Sequence, residues 1–363
     1  MMHRERVTRG MSVAAIMAGT IVFAAAILLM AHAGPGGQVA KATGAAGASG
    51  YHVIKTIAVG GEGGWDYVTV DSDARRVYVS HATHVVVLDA DSGAKVGDIP
   101  DTQGVHGVAL APDLGRGFVS NGRANTVTIF DLKTLATIGT VDVKGQNPDA
   151  IYYDAATKRV FAFNGRSSNA TAINGVDGKV VGMIPVGGKP EFAVGEGKGR
   201  VFVNIEDKSE LLEIDADKLA VLHRWPLAPC VEPSGLAMDA AHRRLFAVCD
   251  NKMMVIVNAD TGKIVATPAI GDGPDAAGFD PATQFAFSSN GGSGTLTVIH
   301  EDSPDKYTVV EDVPTKKYAR TMALDAKTHN IFLPVAEFET VTPRGERRPP
   351  MKPGTFGVLV VGR

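Results

Sequence analysis

The sequence predicts an all-β fold, a seven-bladed β-propeller closed by its N-terminal strand, and three observations predict it. A turn acid recurs as Asp71, Asp113, Asp154, Glu196, Asp239, Asp280 and Asp325, at spacings of 41 to 45 residues. An independent marker closes the third apolar run of each copy at Asp89, Asp131, Asn174, Asp215, Asn258 and His300, with the same period. The last copy has only three apolar runs, and its missing fourth is found at the front, in Tyr51 to Gly60. A unit of about 42 residues is one supersecondary element that buries its apolar surface only against a neighbour.

Each unit reads as four short strands. In the cleanest copy they are GLAM, LFAVC, MMVIVN and KIVATPAI, beginning at Gly235. Asp239 to His242 breaks the first pair, and Asp260-Thr261-Gly262 breaks the last. Asp bonds its own backbone in such turns and Gly accepts positive φ. The second runs (RVYVS, RVFAFN, RVFVN, RLFAVC, NIFLPV) are nearly continuously apolar, as strands covered on both faces are. Four antiparallel strands repeated around an axis make a propeller blade. Pairing of the 51–60 segment with the last copy ties the ring shut and leaves no open edge there.

Residues 1–33 are set apart from the fold. His3, Arg4, Arg6 and Arg9 precede an uncharged apolar run from Met11 to Met30, and Ala31-His32-Ala33 is a small-x-small cleavage pattern. The expectation is a signal peptide, or an uncleaved anchor, since 20 apolar residues can span a bilayer. Either places the bulk of the protein outside the cytoplasm: periplasmic or secreted, or anchored in the inner membrane with the propeller in the periplasm. Residues 34–50 are Gly/Ala-rich and read as a flexible linker, leaving 51–363 for the propeller. The formal net charge is −3, and loss of the N-terminal arginines makes the chain more acidic, so nothing argues for a nucleic-acid partner. Membrane contact is expected only if the N-terminal segment is retained. The two cysteines, Cys230 and Cys249, point toward one end of their unit if its first two runs pair; they form a disulfide or two buried thiols.

The pattern P-x-x-hydrophobic-D, then R-hydrophobic-aromatic-V-x-N, then hydrophobic-D-x-x-T/S-G-K-hydrophobic-V resembles the YVTN repeat family of bacterial extracytoplasmic propellers. The resemblance covers Tyr51 to Arg363 and implies the fold and an exported location, with little to say about activity. Quinone-dependent propellers finish the D-x-x-T-G-K turn with Trp, but only Trp65 and Trp225 exist here. No C-x-x-C-H occurs, which excludes covalent haem. No cofactor is expected.

Connections into the first strand and between the second and third lie on one rim and vary in polarity from copy to copy. Variation on a constant scaffold is where recognition resides. The binding candidates on this rim are His106, Arg123, Arg166, Glu191, Glu206 and Arg320. The last copy adds a long connection, Ala336 to Gly354, stiffened by prolines and made basic by Arg344, Arg347 and Arg348; it reads as a lid or docking arm. Asp66, His81, His84 and His106 are one set that could hold a metal, against a plainer reading as unrelated loop residues. Glu191 with Glu206 is the best carboxylate pair, suited to acid–base work or Ca²⁺ against a plainer reading as solvated or salt-bridged acids. No catalytic residue is assigned. These features point to an exported, non-catalytic binding or scaffold protein for an unknown small anionic ligand or a protein partner. The alternative is a lactone hydrolase, in which His106, Arg123, Arg166, Glu191 and Glu206 would polarise a lactone carbonyl and activate water.

Overall fold

The computed structural model describes residues 49–343, 345 and 349–363. Seven four-stranded antiparallel sheets are arranged as blades: 68–99, 105–142, 148–185, 190–226, 233–266, 274–314, and a seventh built from 323–362 with His52–Ala58. The N-terminal strand His52–Ala58 pairs with the C-terminal strand Gly357–Gly362, and this closes the ring. The proposed signal peptide and residues 34–48 of the linker lie outside the described residues. The last two linker residues already touch the propeller: the Ser49 amide donates to Glu311 at 2.9 Å. Among the described residues helix is confined to two short 3-10 turns, Pro112–Leu114 and Glu206–Lys208, and no helix is long and apolar enough to cross a membrane.

Packing explains why the apolar runs are continuous. Seven hydrophobic clusters occur among the described residues, one at each interface between neighbouring blades. Between blades 3 and 4, for instance, Phe161, Phe163 and Ile184 face Val201, Val203 and Leu212. A blade is covered on both faces, so strand alternation carries no polar face in its middle strands.

The recurring polar residues each close a backbone account. Asp131 accepts hydrogen bonds from the amides of Lys133 and Thr134 at 3.0 and 2.7 Å, and the other third-strand markers cap their turns in the same way. His300 departs because its hairpin is longer, Thr295–Ser303 against Lys306–Pro314. The arginine opening the second strand reaches the next blade: Arg76 donates to Leu132 O, Arg116 to Gly175 O at 3.0 Å, and Arg244 to Pro304 O at 2.7 Å. The asparagine ending that strand is buried and pins its own hairpin, as Asn121 does by donating to Thr126 and Thr128 at 3.0 and 2.8 Å. The R…N motif is therefore a bolt between blades and a staple within one.

Two expected runs are shorter than the pattern suggests. In blade 7 only Ala323–Leu324 of the first run pairs. In blade 5 the fourth strand is Ile264–Ala266, because Pro268 cannot donate to the ladder. The cysteines form a Cys230–Cys249 disulfide, with Cα atoms 5.4 Å apart, stapling the entry of blade 5 to the end of its second strand.

Candidate functional site

One backbone device repeats around the axis. The first strands of blades 2 to 6 each shift register just after their first residue, at Val105/Val108, Pro148/Ile151, Pro190/Ala193, Pro233/Leu236 and Pro274/Ala276. A bulge leaves one residue outside the ladder and re-aims its side chain. The residues placed there are His106, Asp149, Glu191, Ser234 and Asp275. In blades 1 and 7 the same place is taken by Asp66 and Arg320. Their backbones are held by the neighbouring blade: Ser120 donates to Asp149 O at 2.6 Å, Asn204 to Ser234 O at 2.9 Å, and Thr321 to Asp66 O at 2.6 Å. The sequence thus specifies a rigid ring of side chains at the channel mouth.

The ring is charged and internally paired. His106 Nδ1 lies 2.6 Å from Asp66 Oδ2 and 3.3 Å from Asp149 Oδ1. Arg320 bonds Asp66 at 3.0 Å and also pairs with Asp275. Burial alone would lower the His106 pKa, but the hydrogen bond to Asp66 and the charges of Asp149 and Asp66 outweigh it and raise it to about 9. Burial would raise that of Asp66; His106 and Arg320 reverse this and hold it below the ordinary value. Asp149, only 7% exposed, is pushed up by burial first and then by the Asp66 charge, against the opposing pull of His106. Burial, followed by the charge of Asp149, raises Glu191 as well. Lys189 bridges Glu191, at 3.0 Å, and Glu206, so the carboxylate pair legible in the sequence is joined by a lysine.

The channel is stopped just below the ring. Tyr67 of blade 1 crosses to blade 4, where its hydroxyl donates to Glu191 O at 3.4 Å and its ring meets Phe192 edge-on at 5.1 Å. Above this floor opens a cleft of about 720 Å³, lined in part by Trp65, Asp66, His106, Arg123, Arg166 and Arg320. Gly122 is required here for space: a Cβ would collide with the His106 ring and with Asn147. Arg123 and Arg166 stand exposed on the wall, and among the described residues neither guanidinium has an ion-pair or hydrogen-bond partner.

The sequence-derived candidates are therefore sorted by position. His106, Arg123, Arg166 and Arg320 line one cleft, with Glu191 and Glu206 joined through Lys189 nearby. Asp66, His81, His84 and His106 do not converge. The His81 ring is buried and stacks on Phe356 at 4.4 Å, and His84 faces Asp98 at 3.9 Å. The acid that joins Asp66 and His106 is Asp149. Arg344, Arg347 and Arg348 lie outside the described residues. The base of their connection is a two-stranded arm, with Glu339 N bonded to Pro350 O at 2.9 Å and Lys352 N to Glu337 O at 2.8 Å. Beside the cleft, this arm and Glu62 to Trp65 enclose a second hollow of about 570 Å³.

The sequence matches no protein-family model and no curated protein. Solved structures do resemble the fold. The crystal structure of the RRP9 WD40 repeats has a TM-score of 0.72 at 9% identity, covering 86% of this chain and 98% of that one. The structure of U3-55K gives 0.71 at 9% identity, covering 85% and 98%. The hydrazine synthase of Kuenenia stuttgartiensis gives 0.65 at 16% identity, covering 76% and 94%. At such identities the likeness establishes the seven-bladed propeller with WD40-repeat neighbours and nothing of ligand or partner.

Proposed function

We propose that the protein is an exported, non-catalytic binding propeller of YVTN type that takes a small anionic ligand in the cleft over the channel mouth. The observation that carries this is the pair of unpartnered guanidinia, Arg123 and Arg166, on adjacent blades above the ring of bulge residues. Asp66 and Asp275 are neutralised within the ring by Arg320 and His106, so the open cationic capacity is on the wall. Arginine forks suit carboxylates and phosphates in two-point contact. Export and the YVTN type rest on the leader-like N-terminus and on the strand and turn motif. The proline-stiffened arm beside the cleft is suited to covering a bound ligand.

Calorimetric titration with citrate, gluconate and inorganic phosphate tests the reading. At least one anion is expected to bind the wild type, and Arg123→Ala/Arg166→Ala to weaken it at least tenfold. Failure of all three to bind, or binding that ignores both arginines, overturns it.

A second reading, lactone hydrolysis, is favoured by one observation: two carboxyls of raised pKa, the buried Asp149 and the half-buried Glu191, stand near His106. Turnover of gluconolactone that is lost in Glu191→Gln would establish it in place of simple binding.

A further inference from the structure

The opposite rim carries a second histidine between two carboxylates, and it arises from two departures from the repeat. In blades 3, 6 and 7 the residue three after the turn acid is threonine: Thr157, Thr283 and Thr328 donate to Asp154, Asp280 and Asp325 at 2.8, 2.8 and 2.6 Å. Blade 5 has His242 there, with Nδ1 2.7 Å from Asp239. The residue following the third-strand marker is Ala90, Leu132, Gly175, Ala216 and Ala259 in blades 1 to 5. In each its amide bonds the turn below, as Ala216 N does to Gly199 O at 3.0 Å. Blade 6 places Glu301 in this position, with its amide on Gln284 O at 2.8 Å.

The two departures meet in space. Glu301 Oε1 lies 3.0 Å from His242 Nδ1, and one donor atom from each of Asp239, His242 and Glu301 lies within 4.8 Å of the others. One imidazole N–H cannot serve two carboxylates, and here it serves Asp239. Glu301 is 3% exposed, and neither of its carboxylate oxygens has a hydrogen-bond partner.

At three other blade junctions of this rim the next blade brings a base onto the turn acid. Arg75 pairs with Asp325 at 2.7 Å, Arg243 with Glu196, and His329 with Asp280 at 2.8 Å. Over Asp239 the next blade brings an acid instead. Arg244, the nearest guanidinium, is committed to Pro304 O and Asp305.

The geometry points to a divalent transition-metal site made by Asp239, His242 and Glu301, binding Zn²⁺ between blades 5 and 6. One imidazole and two carboxylates form a donor set for such an ion, with bonds of about 2.0 to 2.2 Å. The exposed side of His242 leaves an entry path and a position for water. The ion would supply the positive charge that a basic side chain supplies on the neighbouring blades. It would join two blades from the rim that the ligand cleft does not use.

The repeat itself provides the test variants. Glu301→Ala and His242→Thr install residues that other blades carry at these places, so both should fold. Full-length protein stripped with a chelator is titrated with Zn²⁺ against a chromophoric competitor, and its thermal midpoint is followed. The wild type is expected to bind one Zn²⁺ that each variant binds at least tenfold more weakly, with a midpoint raised by Zn²⁺ only in the wild type. His106→Gln, on the other rim, should leave this Zn²⁺ in place. The proposal is overturned if the wild type takes up no Zn²⁺, if both variants bind it as well as the wild type, or if uptake is lost with His106 instead.

Discussion

Both rims of this propeller place a histidine Nδ1 between two carboxylates, and they differ in what stands behind the acids. On the cleft rim Asp66 touches both His106 and Arg320, and Arg320 passes on to Asp275, so blades 6, 7, 1 and 2 are linked through charge. On the opposite rim Glu301 faces Asp239 with only His242 between them. The first arrangement sets an arginine as well as the histidine against its acids; the second has the histidine alone. A scaffold that solves the same backbone problem seven times makes the difference readable. Side chains at the bulges range over Asp, His, Glu, Ser and Arg, as on a recognition surface, whereas on the turn rim one acid is set against another where blades 5 and 6 meet.

The comparison breaks most forcibly at Asp66. Removing one member of a half-buried, hydrogen-bonded ion network leaves its partners uncompensated and costs about 1 to 3 kcal/mol, less than the loss at a fully buried pair. Asp66→Ala should therefore lower the urea midpoint more than any other single change in the ring, because it releases His106 and Arg320 together. A loss below about 1 kcal/mol, the range of exposed pairs, would show that these groups do not act as a coupled network.

Legibility in the sequence follows the same division. The fold is readable because seven copies average out local irregularity, and the closing strand is readable because the last copy lacks one run. The cleft rim is readable as a set of residues, since His106, Glu191 and Arg320 occupy equivalent places. Which of them touch is not: Asp149 and Lys189 complete the contacts through a bulge and an inter-blade reach that spacing does not encode. A signal exists in the Pro-Asp and Pro-Glu pairs opening blades 3, 4 and 6, which mark the bulge. Sequence position alone groups His81 and His84 with Asp66 and His106, because all four lie near strand ends. A buried His81 stacked on Phe356 is instead part of the packing between blades 7 and 1.

Next in size is the dependence on pH, which sharpens the contrast. His106 has its pKa raised from 6.5 to about 9 in the fold, so its contribution is fully present below about pH 6.5 and is lost as pH rises through 9. Glu191, raised to about 8, acts in the same sense over this range, and Asp149, raised to about 6, does so below it: the folded state keeps protons that the unfolded chain has released. Stability should fall by about 1 to 3 kcal/mol between pH 6 and 9, since a tenfold change in proton affinity is worth about 1.4 kcal/mol. Glu191→Gln cannot lose that proton, so its thermal midpoint should fall less over the same range. Equal slopes for the two proteins, or a midpoint that climbs with pH, would contradict the assignment.

On the turn rim the expected effect is smaller and of opposite sign. In metal-free protein Glu301→Ala removes a buried carboxylate without a hydrogen bond, whose burial costs on the order of 1 kcal/mol or more. The variant should be more stable than the wild type by about 1 kcal/mol in chelator and no more stable in Zn²⁺. Destabilisation in chelator would mean that the carboxylate is satisfied without an ion.

The smallest effect on stability is expected at Arg123 and Arg166, and here smallness is informative. Neither guanidinium bonds anything among the described residues, so replacing both by alanine removes solvated charge alone, and the urea midpoint should change by less than about 0.5 kcal/mol. The same double variant should weaken anion binding at least tenfold, and in the wild type that binding should weaken as salt rises, because exposed charges are screened within about 10 Å at 0.1 M. A residue that holds the fold shows the reverse pattern, a large loss of stability that carries binding down with it. If Arg123→Ala/Arg166→Ala costs as much as Asp66→Ala, the wall arginines belong to the scaffold, and recognition must be sought on the proline-stiffened arm beside Trp65.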